Sequence, residues 1–381
     1  MIRSTLLLLT ALAIPALGAD GLTPTEVVIG QSAPLTGPAA GLGKGMNVGL
    51  EAWIAKTNAA GGIHGRTIRL VTVDDQYDPA KCADATGELI EDRKVFALAG
   101  FVGTPTCKAA IPVLTEAKVP LIGAFTGAGL LRKDDATGKP HPWVLNLRAS
   151  YGNETEAIVA HFAKLGKTKI AVFHQNDSFG EAGLKGTEAA LKKRNLALVA
   201  KGTFERNTVA VKAGLAAIKE AAPDAVVMVG PYTPIAAFLK EAKAIGLTVP
   251  MATVSFVGTE NLIAAAGADG DGVLISQVVP SPQDATVPLV KEYQEALKVA
   301  FPDATPGYVS LEGYATGKTL GAILDKSGKE PTRAGLVAAA EGLQGLDLGG
   351  LTLTFGPEDH QGSDAVFLTV INQGAAKAMN E

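Results

Sequence analysis

The stretch EVVIGQSAPLTGPAAGLGKGMNVGLEAWIAKTNAAGGIHGRTIRLVTVDD, residues 26–75, decides the fold class of this chain. Residues 26–33 and 67–75 are short runs rich in β-branched side chains, and a helical pattern over residues 44–59 separates them. This order predicts a strand, a crossover helix and a second, parallel strand.

Similar short runs recur along the chain and alternate with helical patterns. They occupy residues 95–101, 119–125, 169–175, 225–230, 249–255 and 272–279. Most are continuously apolar, which is typical of strands covered on both faces in parallel sheets. One series spans roughly 26–146, and a second begins at the stretch 143–150 and ends near 278. We therefore expect an α/β architecture with two similar lobes.

The composition limits the possible functions. The chain has 381 residues, enough for two domains, and 47% of them are hydrophobic. A formal net charge of −4 argues against nucleic acid or an anionic lipid surface as a partner. The five His residues are scattered and form no ligand spacing with Cys, Asp or Glu, so no metal site is expected.

The first 19 residues have the features of a secretory signal peptide. Arg3 precedes an apolar run, and small residues follow at the expected cleavage point near Gly18 or Ala19. No later stretch is apolar for the ~18 residues that a membrane span needs. We therefore expect the protein to be exported to the periplasm.

The glycine-rich loop PLTGPAAGLGKG, residues 34–45, does not match a nucleotide-binding loop. A Walker loop reads G-x-x-x-x-G-K-[ST], but here Pro38 replaces the first glycine and Gly45 replaces the hydroxyl residue after Lys44. The chain also has no G-x-S-x-G elbow and no H-E-x-x-H motif. We predict neither an enzyme nor a cofactor.

Ligands of open parallel sheets bind at the carboxyl ends of the strands, so the residues after each run are candidate contacts. Thr104 and Pro105 follow one run and predict a helix start with Thr104 as N-cap. The free N–H groups of such a helix start favour an anion such as a carboxylate, to which the Thr104 and Thr106 hydroxyls would add hydrogen bonds. The alternative is an ordinary capped helix.

Hydroxyl, glycine or aromatic residues also follow the other runs, at Thr126, Gly127, Phe179 and Tyr232. Residues 178–181 match the capping-box pattern [ST]-x-x-E, which places Phe179 in the first turn of a helix. The recurrence of such residues at four strand ends indicates a binding cleft.

Residues 27–79, 119–132, 169–186 and 246–251 together resemble a known family. With the N-x-x-G-G-I-x-G hairpin and the Asp-Asp pair that follows it, they are similar to the periplasmic leucine/isoleucine/valine-binding proteins, the substrate receptors of ABC importers. The resemblance covers nearly the whole chain after the signal peptide. The segments FTGAGLLR and LNLRASYGNE are similar to a branch whose ligands are diverse.

This resemblance implies the type I periplasmic binding fold, in which two Rossmann-like lobes with parallel central sheets enclose a ligand cleft. It implies three hinge crossovers, near 147–151, 278–282 and 347–352. The N-terminal lobe would contain residues 20–147 plus 280–349, and the C-terminal lobe residues 148–279 plus 350–381.

The resemblance also implies where the ligand binds. Gly103, Thr104 and the segment 125–127 would grip a carboxylate. The full set of implied ligand-binding residues is Thr36, Leu42, Gly103, Thr104, Phe125, Thr126, Gly127, Tyr151, Phe179, Tyr232, Ser255, Phe256 and Tyr308.

One position departs from the family pattern. Leucine-type receptors place a Glu after the V-P-M strand to pair with the ligand's α-ammonium, and this chain has Ser255 or Phe256 there. Either another acid such as Glu154 or Asp177 substitutes for it, or the ligand has no α-ammonium. An aromatic or aliphatic carboxylic acid would then fit as well.

Cys82 and Cys107 are the only cysteines. In an exported protein such a pair indicates one disulfide, or alternatively two small buried thiols. The family's cysteines lie in the same two loop–helix regions, about one helical turn earlier. The resemblance therefore implies a displaced Cys82–Cys107 bridge.

The sequence thus predicts a monomeric, exported solute receptor that binds an amino acid or related organic acid between its lobes. Ligand binding would shift the population toward a closed form that ABC permease subunits in the membrane recognise. The alternative is a secreted ligand-sensing module that signals through a membrane receptor, and no feature of the sequence separates the two.

Overall fold

Two sheets form the centre of the computed structural model, which describes residues 20–379. The first sheet contains β1 (Glu26–Ala33), β2 (Thr67–Asp74), β3 (Ala97–Ala99), β4 (Leu121–Ile122) and β5 (Val144–Leu145). Its strands are all parallel, in the order β2-β1-β3-β4-β5. The predicted signal peptide, residues 1–19, lies outside the described residues.

The second sheet has seven strands and a mixed edge. Its strands are β6 (Ile170–Gln175), β7 (Ala200–Phe204), β8 (Ala225–Val229), β9 (Met251–Thr253), β10 (Leu274–Gln277), β13 (Phe367–Asn372) and β14 (Ala375–Ala378). Between β10 and β13 in the chain, β11 (Leu346–Asp347) and β12 (Thr352–Leu353) form a separate two-stranded sheet. The order in the seven-stranded sheet is β14-β13-β10-β9-β8-β6-β7, with β13 and β14 antiparallel. The sequence patterns did not predict β7 or β14.

Helices cover both sheets. They are α1 (Ala40–Ala59), α2 (Pro79–Glu91), α3 (Thr104–Glu116), α4 (Tyr151–Lys164), α5 (Ser178–Lys192), α6 (Lys212–Glu220), α7 (Tyr232–Ala244), α8 (Thr259–Ala266), α9 (Pro288–Ala300), α10 (Tyr308–Lys326) and α11 (Arg333–Glu341). In the first lobe α1 packs on α9 and α10, and in the second lobe α4 packs on α5 and α7 on α8. The predicted α/β fold with two parallel-sheet lobes is confirmed.

The chain passes between the lobes three times. It leaves the first sheet after Leu145 and returns between Gln277 and Pro288. The third passage lies later than the expected 347–352, because Leu353 and Phe355 still pack in the core of the first lobe. The segment 143–150, expected to begin the second lobe, instead supplies β5 of the first sheet.

Two predicted helix caps are wrong. The N-cap of α3 is Gly103, and the Thr104 hydroxyl bonds to Thr126 instead, at 2.6 Å. The N-cap of α5 is Asp177, whose carboxylate accepts the Phe179 N–H, so the pattern at 178–181 is not a capping box. The residue before each predicted cap, Gly103 or Asp177, has the non-helical backbone that an N-cap requires: φ is 103° at Gly103, and Asp177 is extended.

Among residues 20–379, no helix combines the length and the apolar character needed to cross a membrane. The carboxyl ends of the central strands of both sheets carry the loops that meet between the lobes. That arrangement places the strand-end residues in one region.

Candidate functional site between the lobes

Five aromatic side chains meet between the lobes, and we refer to Tyr77, Phe125, Tyr151, Phe179 and Phe256 as the aromatic cluster. Phe256 is at its centre, with its ring centroid 4.6 Å from that of Phe179, 5.2 Å from Phe125 and 6.1 Å from Tyr77. Tyr151 completes the cluster at 5.3 Å from Phe179. All five side chains are buried, so the lobes meet around an apolar centre.

Both lobes contribute to this cluster through residues that follow strands. Tyr77 and Phe125 come after β2 and β4 of the first sheet, and Phe256 comes after β9 of the second. Phe179 and Tyr151 lie in the first turns of α5 and α4. The Ser150–Asn153 capping box fixes the start of α4 and thereby the position of Tyr151.

Polar groups of the first lobe border the aromatic cluster on one side. The hydroxyls of Thr104 and Thr126 are fully buried and lie 2.6 Å apart. The Thr106 hydroxyl, expected to face a ligand, instead donates to the backbone oxygens of Val102 and Gly103, at 2.5 and 2.9 Å. Among these threonines, only Thr104 and Thr126 therefore have hydroxyls that remain near a ligand position.

Gly127 allows the two lobes to approach closely here. Its carbonyl accepts the Tyr151 N–H at 2.6 Å. A methyl group on Gly127 would lie 2.7 Å from the Tyr151 ring, closer than carbon atoms can approach. Only glycine fits at this point, and it brings the segment 125–127 against Tyr151.

Arg148, Glu154, Glu312 and Ser255 form a buried charge network next to the aromatic cluster. Arg148 Nη2 lies 2.7 Å from Glu154 Oε1 and also donates to the Ser255 hydroxyl, while Nη1 lies 3.4 Å from Glu312 Oε1. The Arg148 guanidinium is 5.2 Å from the Phe125 ring centroid, within cation–π range. Arg148 thus connects the charge network to the aromatic cluster.

Both carboxylate oxygens of Glu154 already accept hydrogen bonds from the protein, so neither is free to accept one from a ligand's ammonium. Besides Arg148, it accepts the Ser255 N–H at 2.8 Å, the Ser255 hydroxyl at 3.1 Å and the Ser276 hydroxyl at 2.6 Å. Asp177 is engaged as well, by the Phe179 N–H at 3.0 Å and by the Gln175 amide at 2.7 Å. Both acids that could have replaced the family's glutamate are already paired within the protein.

The charges in this network shift one another's protonation. Burial raises the pKa of Glu312 to about 7, although Arg148 opposes the shift. Burial and the neighbouring Arg148 charge lower the pKa of Arg132 to about 10. Although burial opposes it, the Glu312 and Glu154 carboxylates raise the pKa of Arg148. Both arginines therefore stay charged at neutral pH, while Glu312 is partly protonated.

Two buried donors beside the aromatic cluster, Nε of Arg148 and the hydroxyl of Tyr151, have no hydrogen-bond partner among the residues that the structure describes. The buried acceptor Oε1 of Gln175, whose amide nitrogen contacts Tyr77, has none either. Buried donors without partners are rare, because leaving one unpaired costs about 1–3 kcal/mol. A groove of about 750 Å³ between the lobes is lined by Tyr151, Asp177, Lys108 and Lys185.

Residues 38–42 of the first lobe contact Tyr232, Thr233 and Gly258 of the second, and we term this boundary the lobe seam. Three of the implied ligand residues, Leu42, Tyr232 and Tyr308, contact the other lobe here. The Tyr232 hydroxyl accepts the Gly41 N–H at 3.2 Å, and Thr233 donates to the Pro38 carbonyl at 2.9 Å. Leu42 packs so closely on Gly258 that a methyl there would lie 2.4 Å from it. Tyr308 lies at the same boundary, where its N–H meets Glu260.

Thr36 lies apart from the aromatic cluster. It is exposed, and its hydroxyl donates to Asp74 Oδ2 at 2.5 Å. Asp74 also accepts the Leu35 N–H at 2.8 Å. Asp74 therefore holds the loop after β1, and Thr36 serves that loop's conformation.

The expected disulfide is absent: Cys82 and Cys107 are both free, buried thiols. Cys82 Sγ accepts a hydrogen bond from Ser32 at 3.4 Å, next to buried Asp75. Burial raises the pKa of both thiols, which disfavours the thiolate that disulfide formation requires.

Sequence reasoning missed Tyr77, Arg148 and Glu312. Tyr77 and Arg148 lie in segments that carry the family resemblance, but neither directly follows an apolar run. Glu312 lies within α10, where its one-turn spacing from Tyr308 was the only signal that it faces the cleft. Among residues 20–379, no group of His, Cys, Asp and Glu is arranged to hold a metal ion.

The comparison with protein families matches the periplasmic binding protein model to residues 26–376. The chain belongs to the periplasmic binding protein family. Members of this family are solute-binding proteins, so this periplasmic binding protein is a solute receptor of the ABC-transporter type and not an enzyme. Its homologues are periplasmic proteins.

Several relatives cover most of this periplasmic binding protein. The crystal structure of a possible leucine/isoleucine/valine-binding protein from Rhodopirellula baltica is 35% identical, covers 96% of this chain and 98% of its own, and superimposes with a TM-score of 0.88. Leu/Ile/Val-binding protein homolog 7 of Brucella abortus is 28% identical over 84% of this chain and 82% of its own length. The Leu/Ile/Val-binding protein of Escherichia coli is 24% identical over 77% of each.

Proposed function

We propose that this protein is the periplasmic receptor of an ABC importer for a small monocarboxylic acid with an apolar or aromatic body and no α-ammonium group. The observation that carries the proposal is the closed pairing of Glu154 with Arg148, Ser255 and Ser276. The two lobes would enclose the acid at the aromatic cluster and present the closed form to the permease.

The carboxylate would bind at the border between the Thr104–Thr126 pair and Arg148. Thr104 is the first residue of α3, where unpaired backbone N–H groups and the helix dipole attract an anion. Arg148 Nε and the Tyr151 hydroxyl are buried donors without a protein partner, and a carboxylate would satisfy both. Tyr151 lies in direct contact with Gly127, so these donors and the Thr pair border one space.

The body of the ligand would contact Phe256, Phe179 and Phe125. Burial of a ring or branched alkyl group among these side chains contributes roughly 25 cal/mol for each Å² of apolar surface removed from water. Aromatic rings gain further from offset or tilted contacts with neighbouring rings. The cluster thus favours an apolar body over a polar one.

An α-ammonium beside the charge network finds no free acceptor on Glu154. To provide one, Glu154 would have to leave Arg148, and breaking one side of a buried ion pair costs about 3–5 kcal/mol. That cost corresponds to a loss of more than about 100-fold in affinity. Amino acids should therefore bind much more weakly than acids of the same shape without the amine.

Matched pairs of ligands test this proposal directly. We would measure the melting temperature and the calorimetric affinity with phenyllactate against phenylalanine, and with 2-hydroxyisocaproate against leucine. Each pair differs only in hydroxyl against ammonium at the α-carbon, and phenyllactamide controls for the carboxylate. We expect the hydroxy acids to raise the melting temperature by mass action. At a ligand concentration of 100 times Kd, the free energy of unfolding should rise by about 2.7 kcal/mol.

Two results would contradict the proposal. Binding of phenylalanine or leucine as tight as that of its hydroxy acid would show that an ammonium acceptor exists. Binding of the amide as tight as that of the acid would show that no carboxylate is recognised.

A further inference from the structure

Helix α10 begins at Tyr308 without a cap from its own chain neighbours. Its N-cap residue is Gly307, and its first turn has no acidic side chain. Long helices start with N–H groups that need acceptors, which a local Ser, Thr, Asp or Asn normally provides. An acceptor for α10 must therefore come from elsewhere.

Glu260 provides that acceptor from a distant part of the chain. Its two carboxylate oxygens lie 3.1 and 3.2 Å from the Tyr308 nitrogen, which donates to them. Gly307 leaves room for this contact, because a methyl on it would lie 2.9 Å from the carboxyl carbon of Glu260. The burial of Glu260 raises its pKa, and neither a lysine nor an arginine within residues 20–379 neutralises it.

The two partners belong to different lobes. Helix α10 packs on α1 and β3 of the first lobe, whereas Glu260 lies on α8, which packs on α7 and β14 of the second. The contact lies beside the lobe seam, where Tyr232 meets Gly41 and Leu42 meets Gly258. Opening of the cleft would therefore remove the cap of α10 and leave the Tyr308 N–H to water.

We propose that Glu260 is a positioning residue that caps α10 across the cleft and so holds part of the ligand-free protein in the closed form. The carboxylate acts through the positive end of the α10 dipole, which favours a negative charge at this point. Any ligand then binds a cleft that is already partly closed, and its apparent affinity rises with the closed fraction. The inference does not depend on which acid the cleft binds.

The test uses the ligand-free protein and two readouts. Hydrogen exchange of the peptide that contains residues 307–311 reports the cap, and the radius of gyration from small-angle X-ray scattering reports the closed fraction. The variants are Glu260→Ala, which removes the acceptor, and Glu260→Gln, which keeps one neutral acceptor of the same shape. Glu188→Ala is the matched control, since Glu188 is an exposed glutamate in the interior of α5 of the same lobe.

We expect Glu260→Ala to increase exchange in residues 307–311 several-fold and to increase the radius of gyration, with Glu260→Gln intermediate and Glu188→Ala unchanged. A purely structural role in α8 would raise exchange within α8 and leave the radius of gyration unaltered. The inference is overturned if both Glu260 variants keep the wild-type radius of gyration, or if exchange at 307–311 does not change. Glu260→Gln decides the question if the alanine variant fails to fold.

Discussion

The Nη2 atom of Arg148 lies 2.7 Å from Oε1 of Glu154, and both side chains are almost completely buried. Arg148 also contacts Ser255 of the second lobe and Glu312 of the first, so the pair lies at the centre of a buried network that joins the lobes. Under the proposed function, this pairing leaves Glu154 unable to accept a ligand's ammonium.

Removal of one partner of this pair should destabilise the protein strongly. We expect Glu154→Gln or Arg148→Met to reduce the free energy of unfolding by about 3–5 kcal/mol, because each leaves a buried charge without its partner. Urea denaturation measures the change. Arg93→Ala breaks the exposed pair with Glu88 and should cost less than about 1 kcal/mol. Equal effects of the buried and exposed changes would contradict this reading.

Glu312 should make stability depend on pH in the range between 4.5 and 7. Its pKa in the folded protein is raised to about 7 by burial, so the folded state binds a proton more tightly than the unfolded state does. Stability from this group is fully present below pH 4.5 and is lost as the pH rises toward 7. We expect thermal unfolding to show this loss in the wild type and not in Glu312→Gln. Parallel pH profiles of the two proteins would refute the assignment.

Phe256 and Phe173 are both fully buried but should differ in their contribution to stability. Phe173 stacks on Phe204 and Phe238 inside the second lobe, whereas Phe256 lies between the lobes. Phe173→Ala should cost about 3–5 kcal/mol, as for other core phenylalanines. Phe256→Ala should cost clearly less, because opening of the cleft exposes this ring, yet it should abolish the thermal shift caused by the best ligand.

Thr104 and Thr126 should affect ligand binding more than stability. Loss of a hydrogen bond to a charged group costs about 1.5–3 kcal/mol, so Thr104→Val or Thr126→Val should weaken the binding of the tighter of the two hydroxy acids by roughly 10- to 100-fold. Isothermal titration calorimetry measures this loss. Thr104→Ser keeps the hydroxyl and is the control. Unchanged affinity in both valine variants would place the carboxylate elsewhere.

Cys82 and Cys107 should behave as free, protected thiols. The folded protein should not react with Ellman's reagent, since both thiols are buried and their pKa values are raised. In urea, without reductant, two thiols per chain should react. Absence of any reaction in urea would show that Cys82 and Cys107 form a disulfide.

The fold was readable from the sequence because its signals are local. The runs that became β1, β6 and β8 are mostly apolar, and the helical patterns between the runs have the length that a parallel crossover needs. Parallel sheets are buried on both faces, so each strand shows its burial in its own composition. Thr104 and Phe179 were predicted as cleft residues in the same way, because each follows such a strand and ligands of parallel sheets bind at the carboxyl ends of the strands.

By itself, then, the sequence determined the α/β class, the two lobes and the strand ends that form the cleft. Only the tertiary structure decided which of those residues lie at the aromatic cluster and which bind other residues of the protein. Arg148 and Glu312 are 164 positions apart, and Glu260 and Tyr308 are 48 apart, so no local pattern records either contact. Glu154 could be a ligand acceptor or a structural partner on sequence grounds. Its burial beside Arg148 decides for the structural role, because a charge removed from water needs an opposite charge at hydrogen-bond distance.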